Sequence, residues 1–216
     1  GINLRALFTF ADQHYEADPF FYPKTGEFNQ PNADLLSKVH QALTIIQFKL
    51  EGQIIARQPD FEMENRLFLQ QAVTGAVEID GRTYPLSHEC FQTVDPQHPY
   101  KLTAEEQEVI QSLGYSFRHA PQIKAHMDFI LRKGSMYLIY NNNLLYHGCI
   151  PLTEDGDFDE FEYRGHRYAG RKLLDFFEEH IRAATSKNDF TETDDTDLMW
   201  YCWIGKKSPL FGRKIG

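Results

Sequence analysis

The sequence predicts an α+β fold, predominantly helical, with six or more helices and two or three short β-hairpins. Apolar residues keep a helical period along most of the chain, which marks amphipathic helices. Prolines and glycines punctuate those runs at starts and stops. Between them, β-prone runs flank Asp80-Gly81 and Asn141-Asn142-Asn143, and a short turn dipeptide between such runs is a strong local hairpin signal.

The first predicted helix is Asn3 to Tyr15, where Leu4, Leu7, Phe8 and Ala11 share one face. Asp18 to Pro31 holds three prolines and reads as an aromatic-rich loop. A long helix, expected to be central, runs from Ala33 to Arg57 on a stripe of Leu35, Val39, Leu43, Ile46, Leu50 and Ile54, and Pro59 stops it. Phe61 to Val73 reads as another helix with Gly75 as its C-cap. The hairpin Ala76 to Pro85 follows. Thr103-Ala-Glu-Glu106 is a capping box whose helix is expected to end at Gly114. Pro121 opens a helix that runs to Lys133 and stops at Gly134.

The most strand-like stretch is Met136 to Pro151. Its second run, LLYHGCIP, is apolar on both faces, the pattern of a strand covered on both sides. Asp157 to Tyr168 suggests a loop and a hairpin turning at Gly165. Ala169 to Thr185 is an amphipathic helix on Leu173, Leu174, Phe177 and Ile181. An acidic linker, Asp189 to Asp197, leads to a short aromatic helix, LMWYCWI.

At 216 residues, 42% hydrophobic and 25% charged, the chain is globular in composition and long enough for one large or two small domains. Thirty-one acidic against 22 basic residues give a net charge of −9, which disfavours nucleic acid as a partner. No apolar run approaches bilayer length, so no membrane span is expected. Three widely spaced cysteines, Cys90, Cys149 and Cys202, suggest neither a disulfide framework nor a thiolate metal site, and point to a reducing, cytoplasmic setting. The chain begins without Met and stops at FGRKIG, which suggests a piece of something longer.

Catalytic motifs are scarce: no nucleophile elbow, phosphate-binding loop or zinc-protease motif occurs. Asp12-Gln13-His14 spells D-x-H, but residues two apart on a helix point away from each other and cannot grip one ion. Gly165-His166 falls in a hairpin turn, and Pro121 separates His119 from His126. The acidic groups Glu154, Asp155, Asp157, Asp159, Glu160 and Asp194, Asp195, Asp197 lack the order of a calcium loop and read as solvated. His147 differs, because it sits in the apolar run LLYHGCIP and precedes Gly148. A histidine there must find ring partners or bear a desolvation penalty. It is either a core histidine bonded to neighbouring backbone or a metal ligand at a strand end. Lys206, Lys207 and Arg213 are candidate phosphate contacts, with an ordinary exposed basic tail as the alternative.

YLIYNNNLLYHGCIPLTEDG (137–156), DLMWYCWIGKKSPLFG (197–212) and the opening GINLRALFTFA resemble the Firmicutes-type, class III fructose-1,6-bisphosphatases. The resemblance spans both ends and the middle of the chain. It implies a calcineurin-like two-metal phosphatase that hydrolyses the 1-phosphate of fructose 1,6-bisphosphate with Mn²⁺, in gluconeogenesis and in the cytoplasm. Of that family's metal ligands only the histidine preceding a glycine is matched, by His147; no catalytic residue carries over. The family's D-x-H, G-D-x-x-D-R-G and G-N-H motifs would precede this chain, and a late G-H motif would follow it. The chain is therefore expected to be one unit, 1–216, cut from the interior of a larger enzyme. Residues 1–134 would form a mostly helical insertion, and 135–216 the strand pair with His147, a hairpin and the C-terminal helices. It would hold an incomplete metallophosphatase sandwich, be inactive alone and bind Mn²⁺ weakly or not at all. The alternative is a stand-alone, non-catalytic helical binding or regulatory module.

Overall fold

The computed structural model describes residues 2–24, 26, 29–186 and 192–211, and they divide into two compact units. The first comprises residues up to Arg57 together with Glu64–Ala120, and the second comprises Gln58–Met63 and the chain from Pro121 onward. Helices dominate both, and three separate two-stranded antiparallel sheets complete the described residues. The metallophosphatase sandwich is not among these elements.

In the first unit, α1 (Arg5–His14) packs along α2 (Gln30–Arg57) and against α4 (Ala104–Arg118). A buried cluster joins Leu7, Phe10 and Ala11 of α1 to Val39, Ala42, Ile45 and Ile46 of α2 and Val109 of α4. At about 1.5 Å per residue, α2 is roughly 42 Å long, and it forms the spine of this unit. Its inner face is not the predicted stripe. Val39 and Ile46 are buried, but Leu43 is exposed, and the buried positions include Ser37, Gln41 and Lys49. Each of these polar side chains has a partner: Ser37 Oγ donates to Asp18 O, Gln41 Nε2 to Glu16 O, and Lys49 Nζ to Glu106. Satisfied polar groups belong on an inner face that hydrophobic spacing alone cannot locate.

Two further expectations fail. Phe61 to Val73 is not a helix. Glu62 takes a left-handed conformation (φ 50°), and only a 3-10 turn at Glu64–Arg66 and the four-residue α3 (Leu69–Ala72) form. A left-handed residue ends a helix, so the apolar period here serves separate turns. The helix from Thr103 does not stop at Gly114; it runs on to Arg118, and the segment before Pro121 ends it. The capping box is present as read, with Thr103 Oγ1 accepting from Glu106 N–H and Glu106 accepting from Thr103 N–H.

β1 (Ala76–Ile79) pairs with β2 (Arg82–Pro85). In the second unit, β3 (Tyr137–Tyr140) pairs with β4 (Asn143–Tyr146), and β5 (Phe161–Tyr163) with β6 (His166–Tyr168). All three hairpins turn on two residues with positive φ: Asp80-Gly81, Asn141-Asn142 and Arg164-Gly165. Such turns match the right-handed twist of the flanking strands. Arg164 is the least suited to that backbone, and its N–H donates to Asp60 Oδ2 while its guanidinium pairs with Asp194.

The second unit also contains α5 (Pro121–Lys133), α6 (Gly170–Ser186) and α7 (Asp194–Ile204). Its core is aromatic. Phe161, Phe177 and Tyr201 are buried against one another, with Phe61 on Tyr201 and Phe176 on Tyr168. The helix at the C-terminal side starts earlier than predicted. Thr193 and Thr196 form a capping box, and Asp194, Asp195 and Asp197 occupy its first turn, where carboxylates offset the helix dipole. The acidic residues assigned to a linker are thus partly helical, and residues 187–191 lie outside the described residues.

Candidate metal centre

His147 follows the last residue of β4, in a bend, and is exposed. The expectation of a histidine buried in a doubly covered strand is therefore corrected. The strands themselves are uncovered: Leu138, Ile139, Tyr140, Leu144, Leu145 and Tyr146 are each 47–65% exposed. The register places Tyr137, Ile139, Leu144 and Tyr146 on one face and Leu138, Tyr140 and Leu145 on the other. Both faces of the ribbon are apolar and both meet solvent.

The base of this hairpin is held at two places. At its start, Glu178 of α6 accepts from Ser135 Oγ (2.7 Å) and Met136 N–H (2.8 Å). Arg182, one turn on, donates to Glu178 and to the carbonyls of Leu131 and Gly134. Burial pushes the Glu178 carboxyl up, but these hydrogen bonds and the guanidinium outweigh it and hold it below the usual carboxylate range. At its exit, Cys149 N–H donates to Pro209 O at 3.0 Å. Burial raises the Cys149 thiol above its ordinary value, and the fully enclosed Cys202 more strongly, to about 12.

The other sequence candidates are engaged elsewhere. Asp12 pairs with Lys38 (3.0 Å) and His14 with Glu105 (3.4 Å), so the D-x-H residues do point apart from α1. His166 is exposed on β6, and His119 ends α4 while His126 lies on α5. Lys206 pairs with Glu62 (2.7 Å); Lys207 pairs with Asp159 (3.2 Å) and donates to Glu160 O. Arg167 bridges Glu160 and Glu162 in the same cleft of about 290 Å³, so its cations already face carboxylates. Arg213 lies outside the described residues. The His180–Asp195 pair (2.6 Å), which sequence reasoning missed, joins α6 to the start of α7.

No group of three or more His, Cys, Asp or Glu side chains able to hold a metal ion occurs among the described residues. A two-metal phosphatase needs several oxygen or nitrogen ligands on each of two ions about 3.5–4 Å apart. His147 alone does not supply them, so the described residues do not fit such a centre.

The family profile for Firmicute fructose-1,6-bisphosphatase matches residues 1–215. The chain belongs to the Firmicute fructose-1,6-bisphosphatase family. A class 3 fructose-1,6-bisphosphatase of Pediococcus pentosaceus is 71% identical over 213 residues, which is 99% of this chain and 33% of the relative. The enzymes of the same name from Staphylococcus haemolyticus and Staphylococcus aureus strain Newman are each 47% identical over 222 residues, covering 99% of this chain and 34% of each relative. The chain thus spans about a third of the length of the curated relatives it matches. No solved structure matches it. Among the described residues, no helix is long and apolar enough to cross a membrane.

Proposed function

We propose that the chain is an interior part of a class III fructose-1,6-bisphosphatase and contributes one metal ligand, His147, to a centre completed by chain outside it. The observation that carries the reading is the β3–β4 ribbon. It is apolar on both faces, exposed on both, and ends at the one histidine that the family resemblance matches to a ligand. A soluble domain rarely leaves such a ribbon uncovered, because both its faces and its strand edges invite association. About two-thirds of each relative's length lies beyond the matched segment, ample chain to cover it as strands of a metallophosphatase sandwich. A stand-alone binding or regulatory module could use the exposed ribbon to take a partner, but it gives no reason for the ribbon to end at that histidine.

On this reading the substrate is fructose 1,6-bisphosphate, the lost group is the 1-phosphate, and the setting is gluconeogenesis in the cytoplasm. In the complete enzyme a Mn²⁺ pair would supply Lewis-acid chemistry, with His147 the one ligand this chain would offer it. Residues 1–134 form the mostly helical insertion, and 135–216 carry the ligand-bearing strand pair. The part played by this chain's own residues is to present His147 from the end of β4, held at the ribbon's base by Glu178, Arg182 and Pro209. Lys206 and Lys207 are paired with carboxylates within this chain. Substituting His147→Ala in the full-length protein should lower turnover of fructose 1,6-bisphosphate more than about 100-fold, as loss of a ligand exceeds loss of an outer-shell partner. Unchanged turnover would remove His147 from the centre.

A further inference from the structure

We infer that Ser208 and Gly148 form a clasp that fixes the backbone directly after His147, and that Ser208 is a positioning residue for that histidine. The inference rests on the reading of His147 given above. Ser208 is completely buried although it carries a hydroxyl. That hydroxyl donates to Cys202 O in the last turn of α7 (2.6 Å) and accepts from Leu210 N–H (3.1 Å) and Phe211 N–H (3.3 Å). Ser208 N–H closes the turn on Gly205 O at 3.0 Å. One side chain therefore ties the 208–211 turn to the end of α7.

The turn so formed aims its carbonyls at the exit of β4. Pro209 O accepts from Cys149 N–H at 3.0 Å, and Ser208 O lies 3.5 Å from Cys149 Sγ. A Cβ at position 148 would sit 2.5 Å from Pro209 O and 2.9 Å from Leu210 O. The glycine is thus required by close backbone approach, and the contact is with backbone that cannot rotate away. The turn is anchored in turn: Lys207 N–H donates to Tyr201 OH (3.2 Å), Lys206 pairs with Glu62, and Lys207 pairs with Asp159. This gives the two lysines a role, since they moor the turn that holds the ribbon. His147 is the residue immediately before the clasped glycine. With its ribbon uncovered on both faces, its place is set by the base, and the exit half of that base is this clasp.

Cys149 reports on the clasp. It is the half-buried thiol of the three, and Cys90, buried in the first unit, serves as an internal control. The test labels the 216-residue chain with a thiol reagent and follows the His147 ring resonances, assigned through His147→Gln. Gly148→Ala forces the two backbones apart, while Ser208→Ala removes only the hydroxyl and decides the question should the first variant unfold. Both variants should label Cys149 about tenfold faster or more, since local opening controls access. The His147 resonances should shift, and Cys90 labelling and far-ultraviolet circular dichroism should stay as before. Unchanged Cys149 labelling and unchanged His147 resonances in folded Ser208→Ala would overturn the clasp. If the clasp opens as expected while His147→Ala leaves metal binding by the full-length protein intact, the clasp stands and the ligand assignment falls.

Discussion

Lys49 and Glu106 are both fully buried, 57 positions apart, and their charges meet at 2.7 Å in the core of the first unit. Thr93 completes the group: its carbonyl accepts from Lys49 Nζ, and its hydroxyl donates to Glu106 Oε1 and lies 3.0 Å from Tyr15 OH. Glu106 also accepts Thr103 N–H, so one carboxylate both caps α4 and neutralises an ammonium from α2. Removing one partner leaves an uncompensated buried charge, which costs about 3–5 kcal/mol. Lys49→Met and Glu106→Gln should each lose about that much in urea unfolding. The pair Lys49→Met/Glu106→Leu should recover a large part of it, because apolar replacement of both partners is often nearly neutral. A loss below about 1 kcal/mol in each single variant would show that water reaches the pair. The capping box around Glu106 was legible, because its spacing is local. The ion pair was not, since nothing in the α2 pattern distinguishes Lys49 from a solvated lysine. The same holds for Ser208 and Gly148, which meet only through the fold.

Among the elements, those read correctly carry their signal within a few residues: the three hairpins with their turn dipeptides, α5 between Pro121 and Gly134, and α6 on Leu173, Leu174 and Phe177. Phe61 to Val73 misled because its apolar residues serve different units; Phe61 and Met63 belong to the second and Leu69 to the first. The β3–β4 ribbon misled in another way. Its two-sided apolar pattern is real, but among the described residues nothing covers either face. What holds the ribbon's start is electrostatic, and it has a pH signature. The Glu178 carboxyl lies below its ordinary range in the fold, so its stabilisation is fully present above the unfolded value and is lost as pH falls through the folded one. The stability difference between the native chain and Glu178→Gln should be constant above about pH 5 and close below about pH 4. Thermal unfolding across that range measures it. A difference that persists undiminished at about pH 3 would show that Ser135, Met136 and Arg182 do not depend on the charge.

For the whole molecule, composition and length described a globular chain of one large or two small domains, but gave no hint that two units would interleave, with Gln58–Met63 serving the second before the chain returns to the first. The family was legible because the blocks that resemble it lie at both ends and in the middle, and the family profile matches residues 1–215. The proposed site was legible only as a single histidine, His147. Metal centres gather ligands from distant segments, and here the described residues supply no complete set. On the proposed reading, His147 is one ligand of a centre that needs chain outside these 216 residues. Titrating Mn²⁺ by calorimetry into the full-length protein, its His147→Ala variant and this chain tests that reading most directly. The full-length protein should bind tightly and stoichiometrically, the variant should show weakened binding or lost stoichiometry, and this chain should show no stoichiometric micromolar binding. Stoichiometric micromolar binding by the 216-residue chain, or a variant that binds as the native protein does, would contradict that reading.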